Sequence, residues 1–277
     1  MQGATGLQIA FLILAVEFFS TLVSRFASQS MGWTRQAFEL GGLVTSLAVA
    51  AALLLGVPSL RRFTTESLSK TIPRRYSTEL IFVALAKAAI PVALLGAYVA
   101  WELFAGSPER IAHEVRFDDS VDAWSRTLSP MGLFKLLVVS WFVGPIVEEL
   151  VFRGLLYRAW ERQWGWATSM VLTSACFGLA HPTHMPSAFL GSVVYVCVLR
   201  RTGTLRAPIL VHMLFNALVS WPVLGHLVFR APSGDFSTAT SWVVPFGCLA
   251  FVSVALPAYV WMSRRDNSAI RAGMAPQ

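Results

Sequence analysis

The stretch VEELVFRGLLY, residues 147–157, places Glu148, Glu149 and Arg153 inside a run that is otherwise apolar. The run spans 133–157, and about 20 apolar residues suffice for a helix to cross a bilayer. A charge near the bilayer centre costs roughly 3 kcal/mol on insertion scales, so three uncompensated charges would cost about 9 kcal/mol, comparable with the stability of a whole domain. The chain must lower that cost locally. Glu149 and Arg153 are four apart, share a helix face and can pair. Glu148 lies about 100° further round the helix. It should face a polar, hydrated cavity and be available for chemistry. Pro145 removes a backbone hydrogen bond and bends the helix, while Gly154 admits a close neighbour. A helix leaving the membrane early would solvate the same three charges, but the following VFRGLLYRAW stays largely apolar.

Composition extends this reading to the whole chain. Of 277 residues, 55% are hydrophobic and 13% charged, and the mean hydropathy is +0.60. That excludes a water-soluble domain of this size and predicts an all-α, polytopic membrane bundle. About eight apolar runs can be counted: 7–26, 38–57, 79–104, 133–157, 166–180, 186–199, 207–224 and 242–262. A single membrane domain over 1–277 follows, in which apolar runs in 1–105 and 241–263 flank the segment 133–224. The first run continues beyond signal-peptide length and lacks a basic lead, so it is expected to be retained. The net charge of +7 comes from arginines and lysines at the ends of these runs, a topological signature rather than a nucleic-acid footprint. The loop RRFTTESLSKTIPRRYS carries five basic residues against one acid and is expected in the cytoplasm. Alternation from it places both termini inside; a bacterial inner membrane is the expected location. Cys176, Cys197 and Cys248 lie in apolar runs without metal-type spacing and read as packing residues. The 10 tryptophans suit interfacial belts and packing.

Two further polar islands interrupt the apolar pattern. In CFGLAHPTHMP, Phe177 and His181 are four apart, and Pro182 disfavours a helical conformation at His181. The helix should break there and free a carbonyl, tolerable in a membrane only beside protein or water. His184 reads as a loop histidine. In LVHMLFNAL, His212 and Asn216 are also four apart and share a face, where they could equally glue helices together. Jointly, a glutamate, two histidines and an asparagine are the parts of a peptide hydrolase: a base for water, imidazoles to orient or protonate, and an amide for an oxyanion. On straight helices His181 and His212 sit at different depths, so their helices must tilt or break for both to reach Glu148. Glu17 and Lys87 are placed outside the site, Lys87 as a side chain that snorkels to the interface.

In order, EELVFR, FGLAH and HMLFN match Glu-Glu-x-x-x-Arg, Phe-x-x-x-His and His-x-x-x-Asn. The chain thereby resembles the CPBP family, the CAAX proteases and bacteriocin-processing enzymes also called Abi proteins, related to the Ras-converting CAAX endopeptidase. The resemblance covers 133–224 and implies an eight-helix layout. It implies that Glu148 activates the attacking water, that His181 orients it or stabilises the transition state, and that His212 and Asn216 form the oxyanion-stabilising pair. Glu149, Arg153 and Phe177 would support the site. No cofactor is implied. The alternative is a three-ligand zinc site of Glu148, His181 and His212 with an open position.

The expected function is therefore intramembrane endopeptidase, with membrane lipid and a membrane-associated protein or peptide as partners and no nucleic acid. A proton-coupled transporter or ion relay would use the same charges, but transporters usually carry inverted repeats and none is visible. A non-catalytic immunity or scaffold relative would not need every motif residue to be present.

Overall fold

The computed structural model describes residues 65–66, 68–106, 135–229 and 243–264. Among these every element is helical and none is a strand. A short 3₁₀ turn, Arg74–Tyr76, leads into α1 (Ser77–Phe104). A continuous helical segment follows at Lys135–Tyr157, in which a six-residue α-helix, α2 (Gly144–Glu149), sits between two π-helical stretches. Then come α3 (Arg158–Leu179), α4 (Met185–Thr202), α5 (Arg206–Phe229) and α6 (Val243–Ser263).

By length and composition, Arg74–Phe104 and Val243–Ser263 can cross a membrane. The runs expected at 38–57 and 7–26 lie outside the described residues. The run at 133–157 is helical, as its pattern predicts, but not a plain α-helix: Pro145 falls at the start of α2, directly after a π-helical stretch. The run at 166–180 belongs to a longer element that starts at Arg158 and breaks at Gly165, whose φ of 75° only glycine adopts without strain.

The Val193–Leu199 run on α4 forms the centre, buried throughout. It reads as uninterrupted apolar sequence because neighbours cover every face. On one side Leu80, Val83 and Ile90 of α1 meet Val194, Val198 and Val211. On the other, Leu150 and Tyr157 pack with Met170, Val196 and Leu205. A third cluster of Phe152, Leu156, Trp160, Phe177 and Ala188 closes the side nearest the acidic pair. The α4 helix ends at Gly203, whose left-handed backbone lets its N–H reach the Leu199 carbonyl at 2.8 Å. The α1 and α6 helices approach so closely that a Cβ on Gly96 would lie 2.6 Å from the Pro245 carbonyl oxygen. Their outward faces expose Phe82, Trp101, Phe104, Val243 and Val254, the surface expected of helices against hydrocarbon.

One end of the bundle is tied by ions. Arg201 pairs with Glu79, which also accepts from the Tyr259 hydroxyl at 3.0 Å. Arg200 reaches Glu161 at 2.8 Å. The Thr204 hydroxyl donates to the Lys70 carbonyl at 2.8 Å, so the described residues of the basic loop dock on the α4–α5 turn.

Candidate active site

The two adjacent glutamates have opposite environments. Glu149 and Arg153 are both 0% exposed and pair at 3.2 Å, while the Glu148 side chain is 30% exposed. The four-residue spacing brings Glu149 and Arg153 together, and the helix turn carries Glu148 to the open side. Arg153 also donates to the Ser192 hydroxyl at 2.7 Å, and its guanidinium lies 4.5 Å from the centre of the Phe177 ring and 5.0 Å from that of Tyr195. Such aromatic faces stabilise a desolvated cation.

Glu149 has a second partner. Its Oε1 also receives Nδ1–H of His212, at 3.0 Å. Because the same oxygen takes Arg153, it acts as acceptor, and the proton lies on Nδ1 of the imidazole. That leaves His212 Nε2 facing the other way, 3.8 Å from Glu148 Oε2. Tyr195 stacks on the His212 ring at 4.5 Å.

His181 is held in a parallel manner. The helix ends just before it, and its backbone at φ −124°, ψ 64° is non-helical, as the following proline demands. The freed His181 carbonyl accepts from the N–H of His184 at 3.2 Å. Its ring stacks on Phe177 at 4.4 Å, and Nδ1 donates to the Phe177 carbonyl at 2.8 Å. A carbonyl can only accept, so this proton is also on Nδ1. His181 Nε2 then lies 3.9 Å from Glu148 Oε2.

Three groups thus converge: one carboxylate oxygen and the two ring nitrogens turned away from their Nδ1 anchors. Both nitrogens are beyond direct hydrogen-bond reach of the oxygen but within the span that a bridging water fills. The helix break at His181 accompanies the approach of both histidines to Glu148. Gly144 lies beneath the carboxylate. A Cβ there would press on the Val139 carbonyl at 3.1 Å and touch Glu148 Oε1 at an ordinary 3.7 Å, so the turn is tight against its own backbone and leaves the acid room.

Asn216 is one turn beyond His212 on α5, and its Nδ2 donates to the Ser140 carbonyl at 2.6 Å. One of its two N–H groups is committed to bracing the segment that leads into α2. His184 places its ring 5.2 Å from that of His181. Burial first, then the neighbouring His181 and Lys87, hold its imidazole below the usual histidine range.

The spans from Glu148 to the two imidazoles exceed the roughly 3.4 Å separating two ligands of a tetrahedral zinc. Among the described residues no group of three or more His, Cys, Asp or Glu has the arrangement to hold a metal ion.

Sequence reasoning missed three contributors, Ser192, Tyr195 and the Ser140 carbonyl, which carry no pattern of their own. Lys87 was visible as a charge in an apolar run, but it does not snorkel. It is 5% exposed, with its ammonium turned inward over aromatic rings.

Residues 130–218 match the Rce1-like family, type II CAAX prenyl endopeptidase. A protein of Bacillus subtilis (strain 168) named "Putative membrane peptidase YdiL" is 27% identical over 86 residues, covering 30% of this chain and 35% of that protein. The match thus spans about a third of the curated relative. No solved structure matches the chain. The matched segment contains the acidic pair, both histidines of the convergence and Asn216. These similarities support the CPBP/CAAX protease family, and with the apolar helices they mark a membrane protein.

Proposed function

We propose that this chain is an intramembrane endopeptidase that hydrolyses a peptide bond of a membrane-associated protein or peptide with water activated by Glu148. The observation that carries the reading is the meeting of Glu148 Oε2 with His181 Nε2 at 3.9 Å and His212 Nε2 at 3.8 Å. A water at that focus can donate one hydrogen to the carboxylate and the other to a ring nitrogen, turning its lone pair towards a substrate carbonyl. Glu148 takes the proton as the C–O bond forms. The proton then passes to the departing amide nitrogen as the C–N bond breaks, giving a carboxylate and an amine. While the intermediate lasts, the proton taken by Glu148 can pass to His212 Nε2, 3.8 Å away, making that nitrogen a donor to the oxyanion with Nδ1–H still anchored on Glu149, before the same proton leaves with the amine. The second N–H of Asn216 can serve the same oxyanion. The match of residues 130–218 to the Rce1-like family and the similarity to a putative membrane peptidase support this reading, and no metal is needed for any step. The substrate segment has to unwind locally, because a helical backbone shields its carbonyls.

The test is to map new protein N-termini in membranes containing wild-type protein or Glu148→Gln, with and without a chelator. Termini dependent on the wild type, absent with Glu148→Gln and indifferent to chelation are expected. Identical termini from both proteins would refute the reading. Loss on chelation would point instead to zinc held by Glu148, His181 and His212. Proton flux into liposomes, abolished by Glu148→Gln and without any new terminus, would point to an ion relay.

A further inference from the structure

Lys87, on the third turn of α1, is a buried cation that the scheme above leaves unused. Its ammonium lies 2.9 Å from the centre of the Phe215 ring and 4.8 Å from that of Tyr195. The fit on the opposite side is also specific. A Cβ on Gly191 of α4 would sit 2.5 Å from Lys87 Cε and 2.9 Å from Nζ, so the glycine provides the slot into which the side chain runs. Burial weighs first against the charge on Lys87; the fields of Glu149 and Glu148 favour it and that of Arg153 opposes it. A buried charge is retained at a cost unless its surroundings compensate it.

The charges around it close. With Lys87 charged, Glu148 and Glu149 contribute two negative charges, and Arg153 and Lys87 two positive ones. The cluster is neutral with both histidines uncharged, the state in which their Nε2 atoms can accept. Without Lys87 one negative charge is in excess in a poorly screened interior, and the proton that would offset it has its most accessible site on Glu148. Tyr195 makes the link physical: Lys87 rests on a ring whose plane stacks on His212 at 4.5 Å.

We propose that Lys87 is a positioning residue of this site, supplying the second positive charge that balances the acidic pair and bracing the Tyr195 ring on which His212 is stacked. The proposal rests on the peptidase reading.

The experiment compares reconstituted wild type, Lys87→Met, Lys87→Gln, Lys87→Arg and Glu148→Gln at equal abundance. Two quantities are read: the rate at which the wild-type-dependent termini appear, and the unfolding temperature in detergent. Lys87→Met is close in shape to lysine, and a proton taken up by the partly exposed Glu148 offsets the charge removed, so the fold is spared while the base is lost. Lys87→Met and Lys87→Gln are expected to slow cleavage about tenfold or more, the scale of one uncompensated charge across a partly screened interior. Their unfolding temperatures should stay within about 3 °C of wild type, and Lys87→Arg should retain most of the rate. Gly191→Ala, which closes the slot, should slow the wild type but add nothing to Lys87→Met. Wild-type rates in Lys87→Met would overturn the proposal, as would rates that fall in step with unfolding temperature or equal losses in Met, Gln and Arg. If Glu148→Gln itself cleaves normally, the peptidase reading fails instead. A Lys87→Met protein that cleaves normally beside an inactive Glu148→Gln defeats this inference alone.

Discussion

Glu148 and Glu149 differ by one position, and that position decides which serves chemistry and which serves structure. Glu149 holds Arg153 at 3.2 Å and His212 at 3.0 Å with a single oxygen. It is therefore both a structural anchor and the group that fixes the His212 tautomer. Removing one partner of a fully buried pair leaves the other uncompensated, so Arg153→Met is expected to destabilise the protein by about 3–5 kcal/mol. Denaturant unfolding in detergent measures this, and a loss below about 1 kcal/mol would show that the pair is solvated. The pairing was legible because four-residue spacing is a local property of a helix. The Glu149–His212 bond was not, since nothing in sequence encodes contacts between residues 63 positions apart. Pro182 announced the non-helical backbone at His181, but not that Phe177 would hold the ring twice, by stacking and through its carbonyl.

Elements place these residues by breaking their own regularity. The segment Lys135–Tyr157 alternates between π and α geometry around Glu148, and such widened turns concentrate at functional sites. An apolar run with a proline signals a bend, but not whether the strain is taken up as a kink or as a widened turn. Glycines were similarly ambiguous in sequence. Gly96 permits α1 and α6 to touch, whereas a Cβ on Gly247 would meet nothing within 4 Å. Gly96→Ala is thus expected to cost about 1–3 kcal/mol by overpacking against backbone, while Gly247→Ala should be neutral or stabilising by up to about 1 kcal/mol through helix propensity. Equal effects in thermal unfolding would mean that the two helices do not approach as described.

For the molecule as a whole, composition was sufficient to establish a helical, apolar assembly, because a net hydropathy of +0.60 over 277 residues leaves too little polar surface for water. Phe82, Trp101, Phe104 and Val254, all more than half exposed, then have lipid as their natural solvent. The protein is accordingly expected to stay in the membrane pellet after alkaline carbonate washing, and release into the supernatant would contradict an integral assembly. Position along the bilayer was less legible, because depth depends on tilt and on breaks such as Gly165 rather than on residue count. The central claim is that Glu148 and the two imidazoles act on one water as a single device. A double-mutant cycle tests it most directly: rates of terminus formation by Glu148→Gln, His212→Ala and the double variant. Groups acting as a unit give non-additive losses, so the double variant is expected to be no slower than Glu148→Gln alone; losses that multiply would contradict a shared site.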